Sequence, residues 1–167
     1  MTDIELPEPL TEVITPVRLE YRYTPGESPS QFLRHIPEGK LLGRRCPECG
    51  KVYAPPRGAC SMCGALFGEE VELADTGTVT TFCVVNINFA NRAVDLPYVC
   101  AEILFDGSDT TAQLLLQGID PEAVRMGMRV RTVWKPTEER TPSMASISHV
   151  EPVDEPDAPF DAYAEFV

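Results

Sequence analysis

Four of the six cysteines fall into two repeats of one frame, Cys46-Pro47-Glu48-Cys49-Gly50 and Cys60-Ser61-Met62-Cys63-Gly64. Thiolate is a strong zinc ligand, and a Cys-x-x-Cys step lets both sulfurs of one tight turn reach the same ion. Glycine after each second cysteine permits the left-handed backbone that closes such a turn. The ten residues between Cys49 and Cys60 suffice for a small hairpin that brings the turns together. Cys46, Cys49, Cys60 and Cys63 are therefore read as the ligands of one tetrahedral zinc, at Zn–S distances of about 2.3 Å. Four protein ligands leave no position open for water, so the site is structural rather than hydrolytic. Iron in a rubredoxin-like site uses similar spacing and stands as the competing metal.

Other residues that could do chemistry are few. The two histidines, His35 and His149, fall on an expected helix and an expected strand, where imidazole more often packs or solvates than catalyses. Cys83 and Cys100 fall within strands and are read as small buried hydrophobes with no base beside them. The neighbouring acids Glu69-Glu70 and Glu138-Glu139 point different ways and read as solvated charge. Neither a glycine-rich phosphate loop nor a nucleophile elbow is present, so no independent catalytic activity is expected.

A chain of 167 residues with 43% apolar content can build one core with a small appended module. No stretch has the roughly 20 uninterrupted apolar residues of a membrane helix, and Met1 to Leu10 lacks the basic-then-apolar pattern of a leader. A cytoplasmic location is expected, with cysteines used for metal rather than cross-links. The formal charge is −12. Six acids and no base occupy Glu151 to Val167, whereas Arg34 to Arg57 holds six bases against two acids. So small a basic patch suits a ligand with a few phosphates better than a nucleic-acid strand, which needs many phosphates neutralised.

Several elements must position the cysteines. Residues 1–27 are acidic and proline-containing, with scattered apolar positions, and read as an arm that needs something to lie against. Residues 28–70 comprise a helix and the zinc ribbon. Phe32, Leu33, Ile36, Leu41 and Leu42 recur at helical spacing, Ser28 is placed to cap with Pro29 following, and Pro37 and Gly39 break the run. Residues 71–150 read as strands: Val71 to Asn88 with a bend at Thr76-Gly77, Pro97 to Phe105, Thr110 to Gln117, Met128 to Lys135 and Ser143 to Val150. A helical turn capped by Asp120 lies between the third and fourth. The chain is thus mainly β, in the order of a five-stranded OB-fold barrel, with an unclosed sandwich as the alternative. Residues 151–167 form an acidic tail, expected to be disordered in the free chain.

In sequence, the helix with Phe32, Leu33, Gly39, Lys40 and Leu41, the first knuckle, Tyr53 with Pro55-Pro56-Arg57, the second knuckle, Gly77 and Pro97-Tyr98 make a recognisable series. The chain resembles the family that joins a rubredoxin-like zinc ribbon to an OB-fold, over about residues 28–150. That resemblance implies a non-catalytic accessory subunit, assembled as a hetero-oligomer with a thiolase-superfamily enzyme such as a thiolase or a thiolase-like aldolase. It also implies lipid or steroid metabolism as the setting, structural zinc as cofactor and acyl-CoA as ligand. Arg44, Arg45, Lys51 and Arg57 could meet CoA phosphates or the partner by charge-assisted hydrogen bonds, with Arg57 the first choice. In the alternative, Arg57 packs over Tyr53 and fixes the ribbon. OB-folds also bind single-stranded nucleic acid by stacking aromatics and a basic groove. Phe82, Phe89, Tyr98, Phe105 and Trp134, with Arg92, Arg129, Arg131 and Lys135, would serve that second reading, which the acidic charge disfavours; no nucleic-acid or membrane partner is expected.

Overall fold

The computed structural model describes residues 8–15, 18–87 and 94–167. The expected strand end at Asn88, and Phe89 and Arg92, lie outside them. A nine-residue helix, α1 (Glu27–His35), starts after Gly26, whose carbonyl receives the Ser30 amide at 3.1 Å and the Ser30 hydroxyl. Pro29 falls in the first turn, where no backbone N–H is needed. Phe32 is buried and Leu33 packs beside it. A 3-10 turn (Ile36–Glu38) follows, and Gly39 at φ 75 returns its N–H to the Ile36 carbonyl.

Leu41 and Leu42, read with the helix, belong instead to a strand. Pro37 and the left-handed Gly39 reverse the chain, and β1 (Leu41–Arg45) then finds hydrogen-bonding partners on both edges. These are β2 (Val52–Tyr53), with Arg44 opposite Tyr53, and β3 (Glu70–Leu73), with Leu41 opposite Leu73 and Arg44 opposite Glu70. The stretch read as one strand from Val71 is therefore two. Its first part closes the ribbon's three-stranded sheet, and the barrel begins at β4 (Thr76–Val85).

The remaining strands are β5 (Tyr98–Phe105), β6 (Thr111–Leu116), β7 (Arg129–Trp134) and β8 (Ile147–Pro152). They close in the order β4-β5-β6-β8-β7, with β7 pairing back to β4 and a parallel contact of β6 with β8 at Leu116 and Val150. Closure excludes the open sandwich, and the expected turn appears between β6 and β7 as Pro121–Ala123, with Asp120 accepting the Glu122 amide at 3.0 Å. Alternation puts Val99, Ala101, Ile103 and Phe105 inside, where they meet Val79, Val130 and Val150. The fifth strand starts later than its sequence pattern implied, because Ser143 caps a 3-10 turn (Met144–Ser146) through the Ala145 amide.

Ribbon and barrel share a seam. The Val52 amide donates to the Asp109 carboxylate at 2.8 Å, and the Asp109 amide returns to the Val52 carbonyl at 2.7 Å. Thr110 Oγ1 accepts from the Ala54 amide at 2.9 Å and lies 3.1 Å from its carbonyl. α1 joins the same body through Arg44, whose guanidinium reaches Gln31 on the helix and Glu70 on β3.

The tail is ordered along the barrel, contrary to the expectation of disorder. The Ala158 amide bonds the Gly127 carbonyl at 2.8 Å, and Tyr163 is buried beside Gly127. Its acids, which made it look unstructured, meet bases contributed by the rest of the fold: Asp157 binds Arg125, Glu155 binds Arg129 and Glu165 lies 3.8 Å from Lys51. Two further 3-10 turns, Phe160–Ala162 and Ala164–Phe166, complete it.

A Cβ on Gly77 would sit 2.7 Å from the Leu104 carbonyl oxygen and 2.9 Å from Ile103 Cγ2, contacts that only backbone movement relieves. Gly77→Ala should therefore cost about 1–3 kcal/mol in urea unfolding; an unchanged midpoint would contradict this packing. Asp106 takes two hydrogen bonds from Arg129, at 2.7 and 2.6 Å, and that contact, aided by Thr76, holds its carboxyl below the usual range. A depressed carboxyl stabilises the fold above its unfolded value and loses that contribution as pH falls through the folded one. Asp106→Asn should lower stability at neutral pH, and its difference from the parent should shrink below about pH 4. A difference that stays constant down to pH 3 would show that the carboxylate charge is not its source.

Candidate metal centre

Each knuckle repeats the same hydrogen bonds. The Cys46 amide donates to the Lys51 carbonyl at 2.8 Å, and the Gly50 amide to the Cys46 carbonyl at 2.9 Å. The second knuckle has Cys60 with Ala65 and Gly64 with Cys60, both at 2.9 Å. Gly50 and Gly64 adopt φ 74 and 73, the left-handed conformation their positions in the frame suggested. In each turn the first cysteine's sulfur faces the amides two and three residues on, and the second's faces the amide two residues on.

The two turns place all four sulfurs within 4.8 Å of one another. Cys46 Sγ and Cys63 Sγ are 3.4 Å apart, and Cys49 Sγ and Cys60 Sγ 3.6 Å. Four ligands at the Zn–S distance of a tetrahedral site would lie about 3.8 Å from one another, so the donor set fits a single ion. Cys46 and Cys60 are buried and Cys49 and Cys63 exposed, which sets the cluster at the ribbon's outer end. Around it, Tyr53 and Phe67 pack ring to ring at 5.0 Å, and the Tyr53 hydroxyl lies 2.8 Å from Ser61 Oγ and 3.6 Å from Cys60 Sγ. Tyr53 is thus covered by Phe67, whereas Arg57 is exposed.

The thiols cannot all ionise alike. Burial opposes ionisation of Cys60, but the Cys63 amide, the Tyr53 hydroxyl and the Met62 amide outweigh it and bring Cys60 down to about 6. Cys63 receives the Ala65 amide, yet its contact with Cys46, partial desolvation of its sulfur among the other thiols and its contact with Cys60 push it up to about 12. One thiolate therefore opposes the next, and a divalent cation at the centre removes that opposition. The chemistry of the donor set fits zinc.

Of the four bases placed near the cysteines, three face carboxylates. Arg44 lies 3.3 Å from Glu70, Arg45 3.0 Å from Glu69, and Lys51 within 4.0 Å of Asp109 and Glu165. Arg57 has no hydrogen bond or ion pair among the described residues. The residues named for nucleic acid are dispersed. Phe105 is in the core, Phe82 is partly buried against it, Trp134 has Arg140 over its ring at 5.6 Å, and Arg129 and Arg131 pair with Asp106 and Glu151. His35 lies 3.4 Å from Glu38, and His149 Nδ1 3.1 Å from its neighbour Ser148. Cys83 and Cys100, expected to be buried, are exposed and half-exposed.

Known proteins share this arrangement. The family described as "ChsH2, rubredoxin-like zinc ribbon domain" matches residues 35–66, and "ChsH2, C-terminal OB-fold domain" matches residues 70–135. A "DUF35 domain-containing scaffold protein" of Methanocaldococcus jannaschii is 38% identical over 105 residues, which is 61% of this chain and 73% of that protein. Its namesake in Methanothermobacter thermautotrophicus is 32% identical over 111 residues, covering 64% and 80%. A "Probable enoyl-CoA hydratase alpha subunit" of Thermomonospora curvata is 32% identical over 96 residues, covering 57% of this chain and 29% of that protein. Among solved structures, a chain of the "Ltp2-ChsH2(DUF35) aldolase" matches at TM-score 0.59 and 24% identity, over 78% of this chain and 98% of that one.

Cys60→Ser should reduce bound metal from about one zinc per chain to a small fraction and lower the ribbon's melting transition, since a site's binding energy is folding energy. Elemental analysis checks this and separates zinc from iron. Unchanged metal content and melting would refute the assignment of Cys60 as a ligand.

Proposed function

The chain belongs to the DUF35 family, which joins a ChsH2-type zinc ribbon to an OB-fold, and from that premise we propose a non-catalytic, zinc-containing subunit that binds a thiolase-superfamily enzyme acting on acyl-CoA. Cys46, Cys49, Cys60 and Cys63 hold the zinc, which keeps the ribbon in shape and takes no part in turnover. The resemblance to the aldolase subunit supports a thiolase-like aldolase as partner, with a lipid- or steroid-derived acyl chain.

The observation that carries this reading is apolar surface left uncovered on a chain with a filled core. Leu10, Val13, Ile14, Leu19, Tyr21 and Tyr23 of the arm are 68–84% exposed, and Met62 and Leu66 at the second knuckle are 69% and 76% exposed. Such patches mark interaction sites. Arg57 stands beside the knuckle tip in sequence and keeps its guanidinium available for a partner carboxylate or a CoA phosphate. Arg44 and Arg45 meet Glu70 and Glu69 within the ribbon, and Lys51 reaches Asp109 of the barrel and Glu165 of the tail. No helix among the described residues is long and apolar enough to cross a membrane.

The isolated chain should neither cleave nor condense an acyl-CoA, whereas co-expression with a thiolase-superfamily partner should give a complex that survives size exclusion and turns over faster than the partner alone. Arg57→Glu should weaken that complex, or its affinity for CoA, on the order of tenfold without altering the melting temperature of the free chain. Turnover by the isolated chain would sink the accessory reading.

A further inference from the structure

Outside the ribbon, two more thiols face each other. Cys83 on β4 and Cys100 on β5 are directly opposed in the antiparallel register, flanked by the pairs Phe82 with Ala101 and Val84 with Val99. Val99, Ala101, Ile103 and Phe105 point into the barrel, so Cys100 points out, and its direct partner Cys83 shares that outer face. Cys83 is exposed and Cys100 half-exposed, so solvent reaches the pair. Opposed residues of an antiparallel pair have Cα atoms about 4.5–5.5 Å apart, within the roughly 4.4–6.8 Å that a disulfide spans. Burial and the nearby Cys83 sulfur also hold the Cys100 thiol above its usual value, as the shared face of the pair implies.

We propose that Cys83 and Cys100 form a two-thiol modification site on the outer face of the barrel, which closes reversibly to a disulfide by exchange with small-molecule disulfides. The more exposed Cys83 is the entry thiol. Its thiolate attacks one sulfur of the small disulfide, forming a mixed disulfide and releasing one small thiolate, which takes up the proton Cys83 lost. Cys100 then loses its proton and attacks the Cys83 sulfur, expelling the second small thiolate, which is protonated in turn. Two protein thiols are oxidised by two electrons, and one small disulfide is reduced to two thiols. The bond spans adjacent strands two rungs from the Val85 and Tyr98 pair at the hairpin's loop end, so it clamps β4 to β5 without requiring either strand to move. In a reducing compartment such a bond is transient, a record of thiol–disulfide balance rather than a structural staple.

The zinc-loaded full chain is incubated with oxidised glutathione, remaining thiols are trapped with N-ethylmaleimide, and the products are read by intact mass and peptide mapping. The expected product has lost two alkylatable thiols, carries no glutathione, yields a linked Cys83–Cys100 peptide and reverts with dithiothreitol. Cys100→Ser should stall as a glutathione adduct on Cys83, and Cys83→Ser should react at least tenfold more slowly. Both side chains lie on the outer face, and a melting curve on each variant confirms that it is folded. A stable adduct on Cys83 in the parent, linkage to a ribbon cysteine, or no loss of thiols would each overturn the proposal.

Discussion

A two-residue strand cannot hold itself in place, yet β2 fixes how the ribbon sits on the barrel. One edge of β2 pairs with β1. On the other side, Val52 bonds the carboxylate and amide of Asp109, and Ala54 just after the strand bonds the Thr110 hydroxyl, both in the turn between β5 and β6. Unpaired, those amides and carbonyls would be buried polar groups at a cost of about 1–3 kcal/mol each. Lys51, one residue before β2, approaches Asp109 of the turn and Glu165 of the tail. First knuckle, barrel turn and C-terminal segment therefore converge on one short seam, and the cysteine cluster keeps its position relative to the barrel because of it.

The charge pattern takes on a different meaning once that seam is seen. A net −12 beside a local basic stretch suggested a surface waiting for phosphates. In the folded chain most of that basic stretch is paired with the fold's own acids, and the tail's acids find Arg125, Arg129 and Lys51. Exposed pairs of this kind contribute little each, typically under about 1 kcal/mol, but they leave few free charges near the knuckles. What remains uncovered there is Met62 and Leu66 with the single charges Glu48 and Arg57, which suits association with another folded surface better than capture of a polyanion.

Local features were legible in the sequence and long-range pairing was not. Cys46, Cys49, Cys60 and Cys63 announce themselves because the frame of each knuckle is set within a few residues, down to the left-handed Gly50 and Gly64. The barrel strands were legible through alternation, and the Asp120 turn through its cap and proline. Leu41 and Leu42 were misplaced because their spacing from Phe32 and Ile36 also satisfies a helix, and only the partners on both edges of β1 decide for a strand. β3 merged with β4 because Val71 and Leu73 continue the apolar pattern of β4 and Ala74-Asp75 between them carries neither glycine nor proline. Cys83 and Cys100 looked like core because register, which sets them opposite one another on the outer face, is not written in either strand alone.

The need for metal follows from the sizes of the two cores. The barrel and α1 share a contiguous cluster running from Phe32 and Ile36 to Val150, which can stabilise that part without help. The ribbon's own cluster is Cys46, Tyr53, Cys60 and Phe67, with Ala65 against it, and two of those residues are thiols. Structures with so little apolar area to bury ordinarily depend on cross-links or metal. Sulfur–metal bonds at the four cysteines would supply at the outer end of the ribbon what apolar packing supplies in the barrel. The part that depends on such bonds is then the end of the ribbon where the second knuckle exposes Met62 and Leu66. An ion placed there governs the shape of the exposed apolar surface while the barrel's stability rests on its own packing.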